Sequence, residues 1–135
     1  MPLMIWDASF SVNVKEIDNQ HMKLMEMLNQ LHDAMKIGKG KDAIGPLIKN
    51  LVKYTETHFA LEERYFEKFR YEEASSHKLA HQVFIDKVSA FQDDFTSGKS
   101  TLTMEIMSFL KDWLVSHIKG TDKRYSKCFN EHGLY

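Results

Sequence analysis

The sequence predicts an all-α protein, an antiparallel up-down-up-down four-helix bundle. Apolar residues recur at spacings of three and four in four separate blocks, which is the period of an amphipathic helix with one buried face. Short breaks rich in glycine, lysine and serine lie between these blocks. Because short connections favour antiparallel neighbours, we expect consecutive helices to run in opposite directions.

The four predicted helices are defined by apolar stripes that also include histidine. The first two stripes are His21, Leu24, Leu28, Leu31 and Met35, and then Ile44, Leu47, Leu51, Tyr54, His58 and Leu61. The third and fourth stripes are His77, His81, Phe84, Val88, Phe91 and Phe95, and then Leu102, Ile106, Phe109, Trp113 and His117. Each stripe predicts one helix that packs in the bundle.

Breaks and flanking segments complete the predicted architecture. The breaks fall at residues 38–41, 72–76 and 97–100. The residues before His21 form a predicted extended arm, and we expect Ile5, Trp6 and Phe10 to pack along the bundle. After the fourth stripe, residues 123–135 are expected to add a short helical turn.

Polar residues and a proline indicate where helices begin. Asp18 and either Ser75 or Ser76 are predicted N-caps, because their side-chain oxygens can accept from backbone N–H groups left free in a first turn. Pro46 is expected near the start of the second helix, where its missing N–H is tolerated.

Length, composition and charge limit the class of protein. With 135 residues and 43% hydrophobic content, the chain predicts one core and a single domain, residues 1–135. A net charge of −1, without basic runs interleaved with aromatics, argues against nucleic-acid binding. No segment approaches the roughly 20 apolar residues of an integral membrane segment. We expect a cytoplasmic protein, which the single Cys128 suits, with monomer as the default oligomeric state.

The histidines on the stripes lie at one depth in the predicted bundle. His21, His58, His81 and His117 each lie 16 or 17 residues from the breaks at the same end. At roughly 1.5 Å of rise per residue, all four stand about 25 Å from that end. We therefore expect them to converge in one layer.

Two pairs at helical spacing add further donors to this layer. His77 with His81, and His58 with Glu62, are each four residues apart. Residues four apart project from one helix face about 5 to 6 Å from each other. Each pair can therefore chelate one metal ion.

The last pair, His117 and Asp122, has an unfavourable spacing of five. A regular helix would splay these two side chains by about 140°. Because Gly120 lies between them, we expect the fourth helix to end or unwind there and to return Asp122 to the site.

Five imidazoles at one depth are hard to explain without metal. Packed together and empty, they would leave buried donors and acceptors unpaired, each costing roughly 1 to 3 kcal/mol. Imidazole with carboxylate suits iron, manganese, zinc or copper, and the lack of thiolate argues against structural zinc or an iron–sulfur cluster. If both carboxylates bridge two octahedral ions with one solvent oxygen, one position stays open for a small diatomic molecule. His32 and His132 do not fit the layer and are expected at the surface.

The order of these residues resembles hemerythrin, specifically its single-domain bacterial form. The matching residues, between Trp6 and about Cys128, are His21, His58-Phe59, Glu62-Glu63, His77, His81, Trp113-Leu114, His117-Ile118 and Asp122. The resemblance implies a non-haem centre of two iron ions, bridged by an oxo or hydroxo group, with dioxygen as ligand. The implied ligands are His77, His81 and His117 for one iron, His21 and His58 for the other, and Glu62 and Asp122 as bridges.

The resemblance also implies an apolar pocket beside the irons. Its positions are Leu24, Phe59, Trp113, Leu114 and Ile118. Each can equally be explained as core packing, and for Leu24 and Trp113 the two roles are compatible.

The function implied by the resemblance is reversible dioxygen binding, for transport, storage or delivery to an oxygen-consuming enzyme. Five neutral imidazoles provide fewer anionic donors than the carboxylate-rich di-iron bundles, which favours the ferrous state. The pocket offers no evident acid or base beyond the ligands, so we predict no enzyme activity. The alternatives are a di-iron enzyme or a sensor acting on ferrous iron, peroxide or nitric oxide.

Overall fold

Four long helices make up most of the described chain. This computed structural model describes residues 4–98 and 102–135, except for the side chains of residues 40, 41, 43, 102 and 103. The long helices are α1 Lys15–Lys36, α2 Gly40–Phe69, α3 Ala74–Thr96 and α4 Leu102–Ser116. A short α5, Ser126–Glu131, lies near the C-terminus, and the described residues contain no β-strand, which confirms the all-α prediction. Within the same residues, no helix combines the length and apolar character needed to cross a bilayer.

Each long helix packs mainly against two neighbours, and α2 and α4 also make a smaller diagonal contact. α1 contacts α2 and α4, and α3 contacts the same two helices. The described connections, residues 37–39 and 70–73, are so short that the helices they join must run in opposite directions. This is the predicted up-down bundle. The predicted break at Lys99 and Ser100, and the side chain of the stripe residue Leu102, lie outside the described residues.

The connection between α1 and α2 is shorter than predicted. Gly38 has a φ of 75°, a left-handed conformation that glycine adopts without strain, and α2 begins only two residues later. Pro46 therefore lies in the second turn of α2 and not near its start. Its ring cannot donate to the carbonyl of Asp42, so one helical hydrogen bond is missing there.

The N-terminal arm is attached to the bundle through Asp18. Its carboxylate accepts from the backbone N–H of Val12 at 2.8 Å and from the hydroxyl of Ser11 at 2.6 Å. Asp18 is therefore not an N-cap, because α1 already begins at Lys15. The arm is shorter than expected and includes one 3-10 turn, Ala8–Phe10.

The remaining predictions for the helix N-termini and the arm are confirmed only in part. Ser75 and Ser76 lie inside the first turn of α3 and are not its N-cap, and the Ser76 hydroxyl donates to the carbonyl of Glu73. Phe10 is buried and Trp6 packs against the core, as predicted. Ile5 does not, since 66% of its surface is exposed.

Two apolar clusters enclose the histidine layer. The larger one fills the bundle between the four helices and includes Phe59. The smaller one joins the arm, the end of α2 and the C-terminal segment, and its buried members are Val12, Val14, Ile17, Phe66, Tyr125 and Phe129. His81 stacks on Phe59, and His77 packs against Phe66, so the histidines lie between the two clusters.

One stripe residue is placed differently from the prediction. Phe95, the last residue of the third stripe, is 41% exposed. It lies in the last turn of α3, where its ring reaches past the core and covers Gly45 of α2. The buried part of the stripe therefore ends at Phe91.

Candidate metal centre

Four elements of the fold bring the seven predicted donors together. α1 supplies His21, α2 supplies His58 and Glu62, and α3 supplies His77 and His81. The last two donors, His117 and Asp122, come from the segment that continues α4. None of the seven exposes more than 4% of its surface. The five histidines on the predicted stripes are therefore all buried in the interior.

A single turn of π-helix, His117–Thr121, resolves the spacing of five between His117 and Asp122. The N–H of Asp122 donates to the carbonyl of His117, five residues earlier. Residues five apart lie on one face of such a turn, whereas an α-helix would separate them. The expected unwinding thus takes the form of a widened turn. Gly120 has no positive φ and no near neighbour, so the glycine itself is not what the conformation requires.

Glu62 lies between two histidines from different helices. Its Oε1 is 3.2 Å from Nε2 of His58, one turn earlier on α2. The same oxygen is 3.2 Å from Nε2 of His81 on α3. One carboxylate oxygen therefore lies between a histidine of α2 and a histidine of α3.

Asp122 occupies a corresponding position between three other histidines. Its Oδ2 is 3.0 Å from Nε2 of His21. Its Oδ1 is 2.8 Å from Nε2 of His77 and 2.9 Å from Nε2 of His117. The two oxygens of this carboxylate thus point to different histidine groups.

The converging ligand atoms form two overlapping groups. In each group, all ligand atoms lie within 4.8 Å of one another. The first group is Glu62, His77, His81, His117 and Asp122, and the second is His21, His58, Glu62 and Asp122. The two carboxylates belong to both groups. This division of the histidines is the one that the sequence resemblance implied.

The chemistry of the buried atoms fits a metal. Although these nitrogens and oxygens approach closely, their contacts lack hydrogen-bond geometry, so the atoms have no hydrogen-bond partner among the described residues. They include Nε2 of His21, His77, His81 and His117 and both carboxylate oxygens of Glu62 and Asp122. Each such atom would cost about 1 to 3 kcal/mol if left unsatisfied. A transition-metal ion bound by imidazole and carboxylate would satisfy them.

Charge at the site is set by the imidazoles and carboxylates together. Burial opposes ionisation of Asp122, but the neighbouring His117 holds the pKa of that carboxyl well below its usual value. The pKa of Glu62 is also lowered, since attraction to His58 and His81 outweighs burial and repulsion from Asp122. Glu62 in turn raises the pKa of His58 against the effect of burial. Both carboxylates are therefore ionised, as metal ligation requires.

Comparison with known proteins identifies the family. A model described as the hemerythrin HHE cation binding domain matches residues 12–128. The chain belongs to the hemerythrin family. A bacteriohemerythrin from Pseudomonas aeruginosa (strain LESB58) is 38% identical over 125 residues, which are 93% of this chain and 80% of that protein. Another, from Stenotrophomonas maltophilia (strain R551-3), is 35% identical over 132 residues, 98% of this chain and 85% of that protein.

A solved hemerythrin structure has the same fold. The crystal structure of a wild-type hemerythrin superposes on this chain with a TM-score of 0.85 at 34% identity, covering 93% of this chain and 97% of the other. The resemblance stated from the sequence is thereby confirmed. Together with the buried His/Glu/Asp cluster, membership of the family makes this chain a hemerythrin-type iron protein.

Apolar side chains surround the ligand cluster of this hemerythrin. Phe59 stacks on His81 with ring centroids 3.8 Å apart, and Trp113 stacks on His117 at 4.2 Å. Four of the five predicted pocket residues are buried, and Trp113 is half-buried. A cavity of about 10 Å³ lies next to them, and its lining consists of Leu24, Met27, Leu28, Leu47, Leu51, Phe84, Leu110, Trp113 and Leu114. Phe59 and Ile118 do not line this cavity.

Two residues in contact with the ligands had no predicted role. Nδ1 of His58 lies 2.5 Å from Oε1 of Gln20, and Nδ1 of His81 lies 3.2 Å from Oε2 of Glu63. Glu63 follows Glu62 directly, and that doubling was the only sequence signal that could have suggested it. No sequence pattern distinguishes Gln20 from other polar residues on α1.

The remaining histidines lie outside the cluster. His132 is exposed, as predicted, and stacks on Phe69. His32 is half-buried on α1 and not fully at the surface. Neither contributes an atom to the two groups of converging ligands found among the described residues.

Proposed function

We propose that this hemerythrin binds two non-haem iron ions and binds one dioxygen molecule reversibly at that centre. In this proposal the histidines of the first group hold one iron and those of the second group hold the other. The three histidines of the first group are His77, His81 and His117, and the two of the second group are His21 and His58. Glu62 and Asp122, which belong to both groups, would be shared between the two irons.

The observation that carries this proposal is the position of the two carboxylates. Oε1 of Glu62 faces His58 and His81, and the oxygens of Asp122 face His21 on one side and His77 on the other. A carboxylate placed between two histidine groups can serve two metal ions at once. With three histidines on one side and two on the other, the second iron would keep one open coordination position.

The walls of the site favour a small apolar ligand over water. Two ferrous ions held there would supply two electrons and one open coordination position for dioxygen. Leu24, Trp113 and Leu114 belong both to the predicted pocket and to the lining of the apolar cavity. The lining of this cavity is apolar, so a water molecule placed there would find no hydrogen-bond partner.

We propose further that the protein is a carrier and not an enzyme. In support, the lining of the apolar cavity beside the ligand cluster includes no titratable side chain that could transfer a proton. Tyr125 is buried near the carboxylates, but it stacks on His77 and Phe129 in the smaller apolar cluster. Burial, with Glu62 and Asp122, raises the pKa of its phenol well above the usual value, so the phenol stays neutral.

Setting and partners are part of the same proposal. Cys128 is the chain's one cysteine, a content that suits a reducing compartment such as the cytoplasm. The carrier would act there as a monomer with a single domain and would deliver dioxygen to an oxygen-consuming enzyme.

The test is an absorption spectrum of protein loaded with ferrous iron without air. Admission of dioxygen should produce a new visible band, and removal of dioxygen should abolish it over repeated cycles. Irreversible oxidation within seconds would contradict the carrier function. Steady turnover of peroxide or nitric oxide that is lost in His58→Ala would support an enzyme instead. His132→Ala, which removes an imidazole outside the cluster, is the control and should keep the parent behaviour.

A further inference from the structure

Two ligand histidines have side-chain partners of different charge at Nδ1. The partner of His58 is the neutral amide of Gln20, whose oxygen lies 2.5 Å away. The partner of His81 is the carboxylate of Glu63, whose nearer oxygen lies 3.2 Å away. Nδ1 of His21 and Nδ1 of His77 are buried without a hydrogen-bond partner in the described part of the chain.

Both contacts select the same tautomer of the ring. An imidazole that donates Nδ1–H to an oxygen keeps the lone pair of Nε2 free for a metal. Nε2 of His58 and Nε2 of His81 both face Glu62, inside the cluster. Gln20 and Glu63 therefore hold these two rings in the protonation state and orientation that ligation needs.

The two partners differ in their electronic effect. A carboxylate that accepts from a ligand imidazole raises the basicity of that imidazole, and a more basic ligand stabilises the higher charge of the metal. A neutral amide orients the ring with a smaller effect of this kind. Glu63 is half-buried, with 34% of its side chain exposed.

The two histidines also belong to different groups of ligand atoms. His81 lies with His77 and His117, whereas His58 lies with His21. The carboxylate partner thus acts on the group of three histidines and the amide partner acts on the group of two.

We infer that Gln20 and Glu63 are positioning residues that make the two iron positions unequal in reduction potential. Glu63 lowers the potential of the iron held by His81, and Gln20 leaves a higher potential at the iron held by His58. The ferrous state is then retained better at the position where the open site lies. The inference rests on the proposed di-iron function.

The experiment exchanges the two partners by isosteric substitution. Glu63→Gln replaces the carboxylate by an amide, and Gln20→Glu makes the reverse change at the other histidine. Two exposed residues on the same helices provide matched controls, Glu67→Gln on α2 and Asn19→Asp on α1. These controls change the charge of each helix without a contact to His58 or His81.

The first measurement uses diamagnetic Zn²⁺ and no dioxygen. In the zinc-loaded protein, proton and nitrogen NMR reports each Nδ1–H and its hydrogen bond. Glu63→Gln should shift the Nδ1–H resonance of His81 upfield and leave that of His58 in place. Gln20→Glu should shift the resonance of His58 downfield, and neither control should move either resonance.

The second measurement is a stepwise redox titration of the iron-loaded protein. Glu63→Gln should raise the lower of the two potentials and Gln20→Glu should lower the higher one, so both variants narrow the gap. We expect a change of about tenfold in the ferrous-to-ferric ratio, the lower end of what loss of such a partner costs a metal site. For one electron this equals about 59 mV.

The outcomes distinguish failure of this inference from failure of the proposed di-iron function. If the parent protein holds two irons and binds dioxygen reversibly but both variants keep the parent potentials and NMR shifts, the inference is wrong and the function stands. If the parent protein does not hold two irons, the proposed function itself fails. Should Glu63→Gln not fold, Gln20→Glu tests the same inference in the opposite sense.

Discussion

The imidazole of His117 and the carboxylate of Asp122 lie 2.9 Å apart although they are five positions apart in the sequence. One π-helical turn, which continues α4 after Ser116, brings them onto one face. Asp122 then reaches across the layer to His21 as well. A local change of helix geometry thus places Asp122, one of the two shared carboxylates, between the two sets of histidines.

Substitution of Asp122 should remove metal from the site. Asp122→Asn keeps the shape of the side chain but loses the charge that faces three imidazoles, so iron content should fall from two per chain to one or none. Asp112→Asn, at an exposed position on α4, is the matched control and should keep the parent content. Metal analysis after gel filtration measures both, and unchanged iron in Asp122→Asn would contradict the bridging role.

The aromatic cluster beyond the histidines should contribute strongly to stability. Phe129 is fully buried and stacks on Tyr125 with ring centroids 4.4 Å apart. Phe129→Ala should therefore lower the free energy of unfolding by about 3 to 5 kcal/mol, as measured by denaturant titration. Phe95→Ala, at a partly exposed position, should cost far less. Equal losses would show that the smaller cluster is not a packed core.

Acid should release the metal. The imidazoles must be neutral to bind, and the pKa of His58 in the metal-free protein is raised by Glu62 despite burial. A protonated His58 stabilises the metal-free fold below the usual histidine pKa of about 6.5, and this contribution is lost as the pH rises through the raised value. Metal affinity should therefore decrease as the pH falls towards and below about 6.5. A competition titration with Zn²⁺ at several pH values measures this, and a flat profile would contradict it.

Removal of metal should lower the thermal stability of the fold. A ligand that binds the folded chain alone stabilises it by about 2.7 kcal/mol when its concentration is 100 times Kd. The metal-free chain retains closely spaced, unpaired donors in its interior. Calorimetry before and after chelation should therefore show a lower unfolding temperature for the metal-free protein. Re-addition of Fe²⁺ should restore it, and an equal unfolding temperature in both forms would argue against a bound ion in the core.

The histidine layer could be predicted because helix geometry is regular. Equal distances from the breaks place His21, His58 and His81 at one depth, and a stripe determines which way a side chain faces. Depth and facing together are enough to bring donors from separate helices into contact, as the structure shows for His58 and His81 at Glu62.

Features that depend on local hydrogen-bond competition could not be predicted. Asp18 is a residue type that often caps a helix N-terminus. Here the arm folds back, and the backbone N–H of Val12 donates to the Asp18 carboxylate instead. The π-turn was expected only as an unwinding near Gly120, since the sequence does not show which backbone hydrogen bonds will widen. The contact of Gln20 with His58 depends on how α1 and α2 rotate against each other, which a stripe fixes only coarsely.

The most direct test of the central claim is an anaerobic titration of the metal-free protein with Fe²⁺, followed by metal analysis of the isolated protein. We predict two iron ions per chain in the parent protein and in His132→Ala, and one or none in His77→Ala. A parent protein that saturates with one iron or none would contradict the account.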